Sequence, residues 1–292
     1  MRMRLTSVIG TALCAGLSGG LLAGCGGGPS AGDDGTSVVA AFYPFAYVAD
    51  RVAGPHATVT NLTAPGAEPH DLELSPQQVA EVAESDVVVY EQGFQPAVDD
   101  AVEENAEGAA VVEVTEVVPL AGDPHVWQDP AKLAAVARQV GRTLSRTDPG
   151  HAADYRRNAA ELVAELRALD RRFRRGLADC ERRTIVTSHA AFAHLAGRYG
   201  LRMVPIAGVS PDTEPSPARL AALERVVTEE DVTTIFTETL ASPAIARTLA
   251  DEVGVRTAVL DPIEGLSEAT AGEDYFSLMR ANLTTLRRAN GC

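Results

Sequence analysis

Short runs of β-branched residues alternate along this chain with stretches whose apolar positions recur every three or four residues. The first pattern predicts strands at 37–41, 59–63, 86–90 and 110–114, then at 184–188, 202–206, 233–238 and 256–261. The second predicts helices at 76–84, 130–144, 190–199, 217–228 and 243–253. Strand–helix alternation of this kind builds βαβ units and parallel sheets, an α/β fold. Between the two groups of four strands lies one longer amphipathic stretch, 149–178. Asp148 suits its N-cap, Pro149 its first helical position, and Tyr155, Leu162, Leu166, Leu169 and Phe173 form its apolar stripe. The expected architecture is two four-stranded, doubly wound lobes, 37–147 and 180–292, joined by a single rigid helix over 148–179. A stiff connection resists wide hinge closure.

The opening residues follow neither pattern. Arg2 and Arg4 precede an apolar stretch broken by Thr, Ser and Gly, ending in Leu22-Ala23-Gly24-Cys25. This is the layout of a secretory signal peptide, 1–24, too interrupted for a good membrane span. Its last residues are similar to a bacterial lipobox, which makes Cys25 the lipidated first residue of the mature chain and 25–36 a flexible tether. The expected location is therefore extracytoplasmic, anchored to the cell membrane as a lipoprotein. With 25 basic against 40 acidic side chains, a formal net charge of −15, the surface repels nucleic acid and anionic headgroups. Cys14 leaves with the signal, and Cys180 and Cys292 are expected to pair as a disulfide in an exported protein, the other state being two separate thiols.

Charge and compartment matter most beside the histidines. Of six, His56 and His151 read as surface residues. His70 lies in the loop after the second strand, and His125 in the proline-stiffened loop Asp123-Pro124-His125-Val126-Trp127-Gln128-Asp129-Pro130 after the fourth. His189 directly follows the fifth strand, and Asp261 ends the eighth. Ligands of open α/β sheets gather at the carboxyl ends of the strands, so these four groups, two from each lobe, are expected to meet in the cleft between lobes. Three imidazoles and a carboxylate suit Zn²⁺, and four protein ligands close a tetrahedral site that holds metal rather than activating water. No His-Glu-x-x-His or Gly-x-Ser-x-Gly supports an enzyme reading, so none is expected.

The motifs Phe42-Tyr43-Pro44, Pro65-Gly66-Ala67-Glu68-Pro69-His70-Asp71, Asp123-Pro124-His125-Val126-Trp127, Ser188-His189-Ala190-Ala191-Phe192 and Leu260-Asp261-Pro262 stand in one order across the mature chain. Together they resemble the metal-binding lipoproteins of bacterial ABC transporters, the ZnuA/TroA-like solute-binding proteins. The resemblance implies His70, His125, His189 and Asp261 as the metal ligands, Zn²⁺ as cargo and an ABC permease as partner of a monomeric protein. An imidazole at His189, where manganese-binding relatives usually carry Glu, favours zinc. Manganese or another divalent ion, or a surface adhesin-like role, are the alternatives. Many zinc-binding relatives carry a His-rich loop before the second ligand, and 117–122 has no His, so metal arrives from solution or from a carrier protein. His194, Glu238 and Trp127 are candidates for orienting ligands or gating the cleft.

Overall fold

Among the described residues, eight strands form two parallel sheets of identical order, with ten helices around them. The computed structural model describes residues 35–292, so the signal segment, Cys25 and most of the tether lie outside the described residues. The first sheet has the order β2-β1-β3-β4, from β1 (Thr36–Ala40), β2 (Ala57–Asn61), β3 (Val87–Tyr90) and β4 (Ala110–Glu113). Helices α1 (Tyr43–Ala53), α2 (Pro76–Glu84), α3 (Pro96–Asn105) and α4 (Val114–Val117) belong to this half. Then α5 (Pro130–Thr147) and α6 (Ala152–Gly176) lead to the second sheet. Its order is β6-β5-β7-β8, from β5 (Thr184–Thr187), β6 (Arg202–Pro205), β7 (Thr234–Thr237) and β8 (Arg256–Val259). Around it lie α7 (Ala193–Tyr199), α8 (Pro217–Glu229), α9 (Ala244–Val253) and α10 (Tyr275–Asn290).

Local chemistry accounts for most element ends. Val87-Val88-Val89-Tyr90 is buried throughout, as an interior strand of a parallel sheet should be. The Ser75 hydroxyl accepts from the Gln78 amide while the Gln78 side chain accepts from the Ser75 amide, a capping box at the start of α2. Asp129 caps α5, with Pro130 in its first turn.

The joining helix departs from expectation. Pro149–His151 form a 3-10 turn, and α6 begins only at Ala152. The Asp148 carboxylate is engaged elsewhere: it accepts from the Tyr155 hydroxyl at 2.7 Å and lies 2.6 Å from His151 Nδ1. It therefore makes no side-chain cap to the backbone. Strand β8 also stops two residues before the expected end, which leaves Asp261 in a loop. Helices α1, α3, α4 and α10 were not expected. The C-terminal α10 is tied by the Cys180–Cys292 disulfide to the stretch between α6 and β5, across 112 residues.

Residues 35–292 form one compact unit. A continuous apolar core runs from Val38 and Val88 through Trp127, Val136, Leu162 and Phe173 to Tyr275, Met279 and Leu286, and so spans both sheets. A smaller cluster under α8 and α9 includes Leu223, Ile235 and Leu249. The shared core is the physical basis for stiffness, since separating the halves would expose it.

Helices α5 and α6 pack tightly at Gly141, where an added Cβ would lie 2.6 Å from Ala159 Cβ. Gly141→Ala should therefore destabilise the fold by about 1–3 kcal/mol through overpacking. Gly197, in α7, has nothing within 4 Å of the same added atom, so Gly197→Ala should stabilise by up to about 1 kcal/mol of helix propensity. Thermal unfolding of the two variants checks the pair, and a gain at both positions would contradict the close packing.

Candidate metal centre

Each functional side chain enters from a loop at the carboxyl end of a strand. His70 sits in the 3-10 turn Pro69–Asp71 after β2, and Glu68 caps that turn by accepting from the His70 amide. His125 precedes the turn Val126–Gln128, beyond β4. His189 follows β5, and Glu264 lies in the loop after β8. These four residues each bring one ligand atom to within 4.8 Å of all the others.

The spacing tests the fit to an ion. Glu264 Oε1 lies 3.0 Å from His125 Nε2, 3.3 Å from His189 Nε2 and 3.6 Å from His70 Nε2. The Nε2 atoms of His125 and His189 are 3.4 Å apart. Four ligands at zinc bond lengths occupy a tetrahedron with edges of about 3.3 Å. Glu264, His125 and His189 side chains are fully enclosed, and His70 alone reaches toward the surface, 8% exposed. Both Glu264 oxygens and His70 Nε2 are buried without a properly directed hydrogen-bond partner among the described residues. Such atoms are costly unless a cation lies among them.

A further layer fixes the rings. His125 Nδ1 is 2.6 Å from Asp123 Oδ1, and His189 Nδ1 is 2.6 Å from Glu238 Oε1. With those Nδ1–H groups donating, each Nε2 lone pair faces the centre. Burial alone would lower the pKa of both imidazoles. Asp123 and Glu264 reverse this for His125, while Glu238 and Glu264 push His189 up to about 10. Burial would raise the Glu264 carboxyl, yet His125, His189 and His70 hold it well below the usual carboxylate range.

Asp261, expected as the fourth ligand, does not join this group; Glu264 does. The Asp261 carboxylate accepts from the Ile263 amide at 2.7 Å and from the Thr239 hydroxyl at 3.0 Å. Its backbone exchanges two hydrogen bonds with the Asn282 side chain. Asp261 thus builds the turn that aims Glu264 inward. Ile263 occupies the left-handed region at φ 59°, a costly conformation for a β-branched residue. The turn is also held from the other lobe, because the Trp127 indole donates to the Pro262 carbonyl at 2.7 Å and the Gln128 amide donates to the same oxygen. Tyr275 in turn donates to the Trp127 carbonyl.

The other expected residues lie close by. Glu238 contacts His189 as described, and Trp127 is a buried strut between lobes. His194 reaches the Asp123 carbonyl through Nε2 at 2.7 Å and receives Lys132 Nζ on Nδ1 at 3.0 Å. It touches none of the four ligand residues. Asp123 also accepts from the Ala193 amide at the start of α7.

Two α/β lobes closed on a largely buried His₃Glu cage are the build of a metal-ion solute-binding protein. The chain belongs to the family described as zinc-uptake complex component A, periplasmic (ZnuA), which it matches over residues 38–289. It is 35% identical over 277 residues to the zinc-binding lipoprotein AdcA of Streptococcus pneumoniae, covering 86% of this chain and 55% of that protein. The chain thus spans about half the length of the AdcA relatives it matches. It is 33% identical over 296 residues to the high-affinity zinc uptake system protein ZnuA of Bacillus subtilis, covering 91% and 93% of the two chains. The Zn(II)-bound ZnuA-like domain of Streptococcus pneumoniae AdcA superposes with a TM-score of 0.78 at 36% identity, over 88% of this chain and all of that one.

The geometry predicts an order of effects on zinc affinity, measured by competition with a chelator. Glu264→Ala should weaken binding more than 100-fold, and Asp261→Asn about tenfold, the scale of losing an outer support. The reverse order would make Asp261 the ligand.

Proposed function

We propose that the chain captures Zn²⁺ outside the cytoplasm and delivers it to an ABC-type importer. His70, His125 and His189 bind through Nε2 and Glu264 through its carboxylate. The carrying observation is the group of three imidazole nitrogens and one carboxylate oxygen that lie within 4.8 Å of one another. Three imidazoles make it a better match to zinc than to manganese, which prefers oxygen-rich octahedral sites. With four protein ligands no position remains for an activated water, so the site is suited to holding and releasing an ion. The lipobox at Cys25 supports attachment of the exported chain to the membrane by an acyl anchor. The permease receives metal when the Asp261–Glu264 turn moves away from the three imidazoles. The family's zinc-uptake description and the zinc-bound relative support this reading.

Competitive titration of the metal-stripped protein should give one tight equivalent of zinc, with manganese much weaker. Tighter manganese binding would change the cargo.

Zinc and protons compete for the same imidazoles. His189 is held up to about 10, so in the metal-free protein it carries a proton at pH 7.5 that zinc must displace. Affinity should therefore rise with pH, about tenfold per unit for each proton displaced. Calorimetry in buffers of different ionisation enthalpy should show at least one proton released at pH 7.5. No release, with affinity flat from pH 7.5 to 6, would contradict this ligand set.

A further inference from the structure

The charge of the chain is unevenly spread. Residues 35–129 carry one arginine against 17 carboxylates, whereas 130–176 carry 11 basic and five acidic side chains. The segment forming α5 and α6 is thus +6, and the rest of the described chain −21. Between these helices lies an open groove of about 340 Å³ with Gly141, Ala159 and Val163 in its lining. Arg138 and Arg142 rise from α5 on its rim, and Arg156 and Arg167 from α6.

All four arginines are exposed, and among the described residues none has a carboxylate within 4.0 Å. Partial burial and the neighbouring charges of Arg167 and Arg142 hold the Arg138 guanidinium below its ordinary value. Arg138 thus feels a repulsion from Arg142 and Arg167 that an array of anions would relieve.

The start of the described chain lies beside the N-terminal end of α6. Gly35 adjoins the His56 carbonyl, and the His56 ring stacks on His151 and pairs with Asp154 at 3.1 Å, in the first turn of α6. A tether from Cys25 to Gly35 has a reach of at most about 35 Å. An anchor there would hold this end of α6 near the membrane.

We propose that the α5–α6 groove docks on the phosphate headgroups of an anionic membrane surface. The arginine rim meets the phosphates, and the apolar floor faces the glycerol and acyl boundary, a feature that binding a free anion would not need. The −21 remainder is repelled by the same surface, so docking orients the molecule as well as holding it. This inference rests on the reading of Cys25 as the anchor, and zinc capture does not depend on it.

The test uses the mature chain, residues 25–292, with Cys25→Ser, so that neither the signal segment nor an acyl group contributes, and vesicles of phosphatidylglycerol mixed with phosphatidylcholine. Cosedimentation at low salt should be clear, decline with added salt, and be absent on pure phosphatidylcholine. Each arginine on such a surface is worth about fivefold in partition, so Arg142→Ala/Arg156→Ala should lose about 25-fold. Zinc titration of the same samples should be unchanged, which separates failure of docking from failure of the metal site or of folding. No preference for the anionic vesicles, or equal binding by the double variant, would overturn the proposal. So would inorganic phosphate that binds the groove in the absence of any vesicle binding.

Discussion

The buried Glu264 carboxylate is the constraint on which the rest of the site depends. A carboxylate with no solvent exposure needs compensating charge, and among the described residues it pairs with the imidazoles of His70, His125 and His189. His125, His189 and His70 hold its carboxyl well below the usual carboxylate range. A divalent cation among the four groups would compensate the same charge. Asp123 and Glu238 perform the matching task behind two of the rings, fixing which nitrogen points inward.

Holding Glu264 in place requires support from most of the molecule. Its turn passes through Ile263 in a left-handed conformation, and Asp261, Thr239 and Asn282 secure it from the second lobe. Trp127 and Gln128 secure it from the first. The four clustered residues are therefore attached to a structure whose core is shared between sheets, which makes a local movement of this turn less costly than separation of the lobes. The basic α5–α6 face is a separate feature of the same chain, and its charge is opposite to that of the remainder.

Much of this was legible in the sequence, for identifiable reasons. The parallel strands announced themselves as β-branched runs, and His70, His125 and His189 stood out because each follows a strand in a loop with little other purpose. Glu264, the fourth member of the cluster, did not. Asp261 has the position expected of a strand-end ligand, but β8 ends at Val259, and the chain then turns through Ile263 to present Glu264 instead. That turn depends on Trp127 and Gln128, more than 130 residues earlier, and no local pattern encodes such support. Glu264 followed by Gly265 was the sole local signal. The break before α6 escaped for a similar reason: Asp148 looks like a helix cap, but the Tyr155 hydroxyl and the His151 ring take its carboxylate.

A crystal structure of the zinc-loaded protein, with anomalous scattering at the zinc edge, decides whether Glu264 or Asp261 completes the site. A single peak is expected at about 2.0–2.2 Å from three imidazole Nε2 atoms and one Glu264 oxygen, with no water on the metal. A peak bound to Asp261, or one carrying a water in place of Glu264, would contradict this assignment.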